Sequence, residues 1–349
     1  MYPLSFPLRV LARAKAQTEW VLDPFCGRGT TNFAARMLGL PSIGIDISQI
    51  AVAIARAKLV SGTPEEIVNA AEQLMAGSPE PNTPDSEFWS LAFHSTTLRS
   101  LGQLRAGLLT VEDNPIYILL RAIVLGALHG PLSKGTSSYF SNQCPRTFAP
   151  KPGYAVKFWK SRNLEPRQVD VLSVIRTRAN RYLRNLPLRT TGAIFLDDGR
   201  NIQTYGLERK FSYVVTSPPY YGMRTYIPDQ WLRHWFLGGP DHVAYLHPVG
   251  SLCHNSLDSF TTDLRRSWMS VADVCTHGAK LVCRFGAIRD RDHDPIAIIK
   301  RSLLGTRWQL LTVKNAGNSL AGKRQATQFG DRIHVLPRQE YDFYARLSH

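Results

Sequence analysis

Val21-Leu22-Asp23-Pro24-Phe25-Cys26-Gly27-Arg28-Gly29-Thr30-Thr31 is the stretch that decides the fold. An apolar strand runs into a turn with two glycines, and a helix opens behind it. That helix carries Phe33-Ala34-Ala35-Arg36-Met37-Leu38 and stops at Gly39. Gly27 and Gly29 permit close backbone approach to a ligand. Thr30 and Thr31 read as N-cap residues. A second strand follows, Ile43-Gly44-Ile45-Asp46, with Ile47 behind it, and Asp46 stands 23 residues after Asp23. A carboxylate at the end of the second strand is the usual ligand of ribose hydroxyls in dinucleotide-type α/β folds. The glycines do not spell G-x-G-x-x-G, however, and Asp23 and Pro24 sit where they would repel a pyrophosphate. An acidic loop suits a ligand with a cationic amine, which favours S-adenosylmethionine over NAD.

A second stretch ends another buried strand. Tyr213-Val214-Val215-Thr216 runs into Ser217-Pro218-Pro219-Tyr220, with Tyr221 next. Two prolines cannot continue a sheet ladder, because proline has no N–H to donate. The chain therefore leaves the sheet in a rigid turn at a strand's C-terminal end, where open α/β sheets place their chemistry. The turn offers a hydroxyl, carbonyls and an aromatic face, which suit a planar base with an exocyclic amine. A structural turn that merely breaks the strand is the alternative.

DPFCGRGTT and TSPPY together resemble the amino-methyltransferases that act on DNA, the cytosine-N4 and adenine-N6 class. The resemblance is good over residues 1–60 and 190–226. It implies that the first motif binds S-adenosylmethionine through Asp23, Pro24, Phe25, Cys26, Gly27, Gly29, Thr30 and Thr31, with Asp46 and Ile47. Ile194-Phe195-Leu196-Asp197-Asp198-Gly199-Arg200 resembles the family's G-D-A-R segment, whose acid contacts the adenine. Asp197 replaces the usual Gly and Gly199 the usual Ala, so Asp198 takes that role, with Asp197 as its rival. Tyr2-Pro3-Leu4-Ser5-Phe6-Pro7-Leu8 resembles the segment that closes over the methionine end, which assigns Phe6 to the cofactor. The expected fold is α/β: a Rossmann-like class I methyltransferase sheet with a large, mainly helical insertion.

Composition agrees. The chain has 349 residues, 44% of them hydrophobic, and a formal charge of +15 at pH 7. That length allows one catalytic domain with a large insertion or two modest domains. The excess of cations attracts polyanions. The five cysteines form no CxxC pair and no zinc spacing, so no metal is expected, and an odd count fits a reducing compartment. No secretory signal is apparent, and the most apolar helix, Ile116 to Leu128, is too short to span a bilayer. The expected location is the cytoplasm.

The second strand's helix ends near Leu59 and the third strand begins at Ala193, leaving about 130 residues between them, far beyond an ordinary connection. The catalytic domain is thus expected at 1–62 and 190–349, with 63–189 inserted. The patterns predict inserted helices near Glu65–Met75, Thr96–Leu109, Ile116–Leu128 and Val169–Leu186. The latter half of the insertion is basic, with aromatics interleaved. Lys157 and Lys160 lie there, and Arg176, Arg178, Arg181 and Arg184 fall on the last predicted helix, opposite Val171, Leu172, Ile175, Ala179, Tyr182 and Leu186. Cations bind phosphates, and aromatics stack on bases or pack against sugars. The insertion therefore reads as a target-recognition region for double-stranded DNA; an ordinary solvated helix face is the bland reading. Arg224 follows the SPPY turn. Lys323 and Arg324 lie in a Gly-rich loop, 315–331, that either clamps DNA or is an ordinary loop. The patterns 308–313 and 342–347 predict a closing hairpin.

For an exocyclic amine, Ser217 Oγ and the Pro218 carbonyl would accept its two N–H bonds, with Pro219 fixing the turn. Tyr220 would stack on the base, with Tyr221 the competing stacker. The amine attacks the sulfonium methyl in line, and positioning supplies much of the rate. A base within a duplex must flip to reach the turn. Cytosine carbon-5 chemistry would need a Pro-Cys nucleophile; Cys144-Pro145 has the reverse order. In the family these motifs resemble, serine at the first motif position leans toward cytosine N4, though adenine enzymes also use it. An RNA amine methyltransferase and a non-catalytic nucleic-acid-binding module are the alternatives. The sequence shows no nuclease domain, so a restriction or defence partner would be a separate chain.

Overall fold

A computed structural model describes residues 2–14, 18–77, 81–131, 138–146, 148–202, 210–222, 227–245, 249–287, 293–318 and 339–348. Its centre is a seven-stranded sheet of order β3-β2-β1-β4-β5-β7-β6. The strands are β1 (Trp20–Asp23), β2 (Ser42–Asp46), β3 (Gly192–Leu196), β4 (Phe211–Thr216), β5 (Cys275–Gly286), β6 (Trp308–Asn318) and β7 (Gln339–Leu347). Strands β1 to β5 pair in parallel, and β7 lies antiparallel between β5 and β6. This is the Rossmann-like class I methyltransferase sheet. β1 and β4 are apolar along most of their length because helices cover both faces of the parallel part.

Strand order reverses at β1, which has β2 on one side and β4 on the other. A crevice opens outside the C-terminal ends of parallel strands at such a switch point. Asp23 ends β1 and Thr216 ends β4, so both sequence motifs leave the sheet at that crevice. The antiparallel arm is locked to the rest by a buried ion pair. The Arg284 guanidinium on β5 donates to both oxygens of Asp342 on β7, at 2.7 and 2.9 Å.

Helices α1 (Ser5–Leu11), α2 (Thr30–Met37), α3 (Gln49–Ala57), α11 (Leu257–Asp273) and α12 (Pro295–Leu303) belong to the sheet layers. Between α3 and β3 the chain forms α4 (Pro64–Gly77), α5 (Glu87–Ala92), α6 (Ser95–Thr110), α7 (Pro115–Ala127), α8 (Pro152–Lys160) and α9 (Val171–Leu183). Local caps fix several starts. Asn114 Oδ1 accepts from the N–H groups of Ile116 and Tyr117, and Asp170 Oδ1 from that of Leu172. The helices share one apolar core, and α10 (Trp231–Phe236), from beyond the SPPY turn, joins it. Trp231 and Trp235 sit against Trp89 with ring centroids 5.4 and 4.6 Å apart. The helical body is thus continuous with the catalytic half.

Arg36 on α2 holds both ends of this excursion. Its buried guanidinium donates to the Lys58 and Val60 carbonyls and Ser61 Oγ on the way out. It donates to the Pro187 and Leu188 carbonyls on the way back. One planar fork with five donors satisfies both loop ends at once.

Candidate active site

The loop after β1 is built on its own backbone and on two carboxylates. Gly27 and Gly29 have φ of +52° and +70°, in the left-handed region that favours glycine. A Cβ on Gly29 would meet Ala55 Cβ of α3 at 2.9 Å, so the loop lies flat on that helix. Asp46, at the end of β2, accepts from the Gly27 N–H at 2.8 Å and the Ser48 N–H at 2.9 Å. Burial raises its pKa, opposed by those two bonds. Asp46 therefore shapes the glycine loop from the end of β2.

Asp23 is fully buried. Its Oδ1 accepts from Thr216 Oγ1 at 2.6 Å and from the Phe25 N–H at 3.2 Å; its Oδ2 accepts from the Tyr2 hydroxyl at 3.0 Å. Burial pushes its pKa up to about 6, although these donors work in the opposite direction. The Thr216 bond ties the end of β4 to the end of β1, so the SPPY turn and the glycine loop stand side by side.

Two expectations for this corner need correction. Phe6 does not line the crevice: it is on the inward face of α1, in a core with Val10, Leu11 and Tyr213, and Arg284 lies 4.0 Å over its ring. Tyr2, just before α1, reaches the site instead; it touches Asp23 and shares a short hydrogen bond with Thr31 Oγ1. Thr30 and Thr31 are not caps. The residue before α2 is Gly29, without a side-chain cap, and Thr31 Oγ1 donates to the Val215 carbonyl. Cys26 is buried with its thiol pushed up by burial, so it packs rather than reacts.

The ends of β2 and β3 form the wall of a cavity of about 420 Å³ lined by Ile47, Asp197, Asp198, Arg200, Val249 and Gly250. Asp198 takes a bidentate pair from Arg200, with contacts down to 2.6 Å, and Arg200 also pairs with Asp263 at 2.8 Å. Asp197 Oδ1 accepts the Asp198 N–H. The donor set fits S-adenosylmethionine: an apolar wall at Ile47 and carboxylates at the sugar and base ends, with the glycine loop beside them. Asp46 would hold the ribose and the 197–198 acids the adenine amine. The bound cofactor supplies an electrophilic methyl group.

Ser217–Tyr220 lies beyond the last ladder pair of β4, Thr216 with Cys283. Ser217 and Pro219 are half-buried and Pro218 is buried. Tyr220 is only 8% exposed. Its hydroxyl donates to Glu340 Oε1 at 2.7 Å, and its ring stands edge-on to Phe285 at 5.2 Å. Tyr221 packs against Phe260 at 5.2 Å and is buried too. Neither ring offers a broad free face in this structure. Glu340, at the start of β7, was not legible as a site residue, because nothing local marks it.

The proposed nucleic-acid residues divide. Lys157, Arg176, Arg181 and Arg184 are exposed, and Lys160 is exposed but paired with Glu87. Arg178 is a correction. It falls on the same stripe of α9 as Val174 and Ile175, donates to the Ser138 carbonyl and Tyr182 hydroxyl, and stacks 4.6 Å over Tyr139. Helical spacing puts position 178 on the buried face, one turn past 174 and 175. Arg224, Lys323 and Arg324 lie outside the described residues.

Sequence reading missed a second cationic group, at the junction of the glycine loop and the helical body. Arg28 is within electrostatic reach of Lys58, Arg146 and Arg233. Burial, then Arg28, pushes Lys58 down to about 8; burial, then Arg28, pushes Arg233 down to about 9. Among the described residues none of these four has a carboxylate partner within salt-bridge distance. No group of three or more His, Cys, Asp or Glu among the described residues is placed to hold a metal, and all five cysteines are free. No helix among the described residues is long and apolar enough to cross a membrane.

The DNA methylase family model matches residues 1–57, from the N-terminal segment through α3. No curated protein matches the chain. Among solved structures, the chain is similar to TrmN from Thermus thermophilus, at 9% identity and TM-score 0.38, covering 99% of this chain and 48% of that one. This chain thus spans about half the length of that protein. It is similar to the rRNA methyltransferase aviRa from Streptomyces viridochromogenes, at 13% identity and TM-score 0.36, covering 99% and 85%. It is also similar to an rRNA methylase from Streptococcus thermophilus, at 6% identity and TM-score 0.37, covering 100% and 98%. Likenesses of this strength decide neither target nor chemistry. The sheet order, the glycine loop with its two carboxylates and the match over residues 1–57 define the class: a methyltransferase of class I fold that uses S-adenosylmethionine.

Proposed function

We propose that the protein is a DNA amino-methyltransferase that moves a methyl group from S-adenosylmethionine to the exocyclic amine of a flipped base, cytosine N4 ahead of adenine N6. The observation that carries this reading is the 2.6 Å bond from Thr216 to Asp23. It fixes the SPPY turn beside the cofactor loop, so an amine held at the turn faces the position of the methyl donor. Ser217 Oγ and the Pro218 carbonyl accept the two amine N–H bonds and favour a more tetrahedral, more nucleophilic nitrogen. Holding both reactants in line removes much of the barrier.

The charge supports a polyanionic partner. The chain carries +15 at pH 7, and the Arg28 group adds cations without acidic partners beside the site. Double-stranded DNA is the proposed partner, gripped by Arg176, Arg181 and Arg184 on α9. Radiolabelled cofactor supplied with duplex DNA and with structured RNA tests the target class. Sequencing of modified bases in DNA from cells expressing the protein tests the atom. Label in RNA alone would overturn the DNA assignment, and N6-methyladenine alone would overturn cytosine N4.

A further inference from the structure

The catalytic turn has two ends, and the bond from Thr216 to Asp23 holds the first. From Ser217 to Tyr221 the chain reads Ser-Pro-Pro-Tyr-Tyr, and neither proline has an N–H with which to anchor the turn. Gly222 closes it with φ of +80°, in the left-handed region that favours glycine. Its N–H lies beyond the β4 ladder, and a half-buried N–H needs an acceptor. That acceptor is His254 Nδ1, at 3.0 Å. A ring nitrogen that accepts carries no hydrogen, so the imidazole in this bond is neutral, with its proton on Nε2.

His254 is held in turn. Its ring centroid lies 5.1 Å from that of Phe260 on α11 and 6.3 Å from that of Tyr221. The residue before it, Cys253, donates its N–H to Asp263 Oδ2 at 2.8 Å, and Asp263 Oδ1 pairs with Arg200 at 2.8 Å. Arg200 also donates to the Gly250 carbonyl at 3.1 Å. One guanidinium thus pins the strap 250–254 twice, directly at Gly250 and through Asp263 at Cys253. Gly250, with φ of +85°, lies against the cavity wall: a Cβ on it would stand 3.2 Å from Ile47 Cγ2 and 3.3 Å from Asp198 Oδ2. The strap therefore meets the cofactor cavity at Gly250 and the catalytic turn at His254.

We propose that His254 is a positioning residue for methyl transfer: its unprotonated Nδ1 holds the far end of the Ser217–Tyr220 turn, from a strap pinned to the wall of the cofactor cavity. This rests on the amino-methyltransferase reading above and deepens it. His254 acts through Gly222 and not on the reacting atoms. The rate depends on it because in-line attack tolerates little displacement, and a misplacement of about 1 Å costs about a hundredfold. Releasing the Gly222 N–H frees the turn at one end, and the acceptors at Ser217 and Pro218 then drift from the line of the methyl donor.

The test is single-turnover methyl transfer to duplex DNA, at saturating DNA and cofactor, by wild type, His254→Asn, His254→Gln and His254→Ala. Cofactor affinity and melting temperature are measured alongside. Asn places its Oδ1 as many bonds from Cα as His places Nδ1, so it can accept from Gly222. Gln places its oxygen one bond further out, and Ala has no acceptor; Ala also keeps the test open if the longer Gln does not fold. The Asn variant should transfer near the wild-type rate. Gln and Ala should lose about a hundredfold in rate, with cofactor affinity unchanged. A wild-type rate in Gln or Ala, or an Asn variant as slow as they are, would overturn the role of Nδ1. Absence of transfer by the wild type would instead refute the amino-methyltransferase reading itself.

Discussion

Asp23→Asn should make the folded protein more stable at neutral pH, and the gain should depend on pH. Asp23 is fully buried, and its pKa rises from 3.8 to about 6. That difference corresponds to about 3 kcal/mol held against the ionised folded state. The sign follows from the direction. The folded state holds the Asp23 proton more tightly than the unfolded chain does. Stability is therefore highest below the unfolded value, falls as pH rises from about 3.8 to 6, and stays low above 6. Asn keeps an acceptor for Thr216 Oγ1 and cannot ionise, so this loss disappears in the variant. Its imperfect fit to Tyr2 adds only a pH-independent offset. Urea unfolding of both proteins between pH 3.5 and 8 would show the gap widening by about 3 kcal/mol toward neutral pH. A gap that stays constant over that range would refute the idea that Asp23 is ionised at a cost. The same logic links Asp23 to the cofactor. A cationic ligand nearby favours the carboxylate, so wild-type affinity for S-adenosylmethionine should rise through pH 6 and the variant's should not.

Asp46→Ala should weaken cofactor binding about ten- to hundredfold, through lost ribose bonds and the released Gly27 N–H; unchanged affinity by calorimetry would remove Asp46 from the site. Replacing Arg176, Arg181 and Arg184 by alanine should lower the log–log salt slope of DNA binding by about 0.9 for each phosphate no longer neutralised, with cofactor affinity intact. Arg178→Ala should leave that slope alone and instead lower stability by about 1–3 kcal/mol, as expected when the half-buried Ser138 carbonyl loses the buried guanidinium that donates to it. Arg36→Ala should cost about 3 kcal/mol or more and loosen both ends of the helical excursion, read as faster amide exchange near residues 58–61 and 187–188.

The sequence by itself determined what depends on short-range chemistry. A glycine pair behind an apolar strand makes a ligand-approaching loop wherever it occurs, so residues 21–31 gave β1, the loop and α2. Two prolines end a ladder locally, so the turn after Thr216 was readable as well. The periodic apolar residues of α4, α6, α7 and α9 placed those helices to within a few residues. Tertiary structure decided what depends on which surfaces meet. Phe6 reads as a site aromatic until α1 turns it into the core under Arg284. Arg178 reads as one of four equivalent arginines until α9 packs by its 174–175–178 stripe. Glu340 lies 120 positions from Tyr220 and becomes its partner only because β7 inserts beside β5. The pKa of Asp23 is likewise invisible in its tetrapeptide, because desolvation comes from the elements that close over it. Local backbone preference is written in neighbouring residues. Burial and long-range pairing exist only once the sheet has assembled.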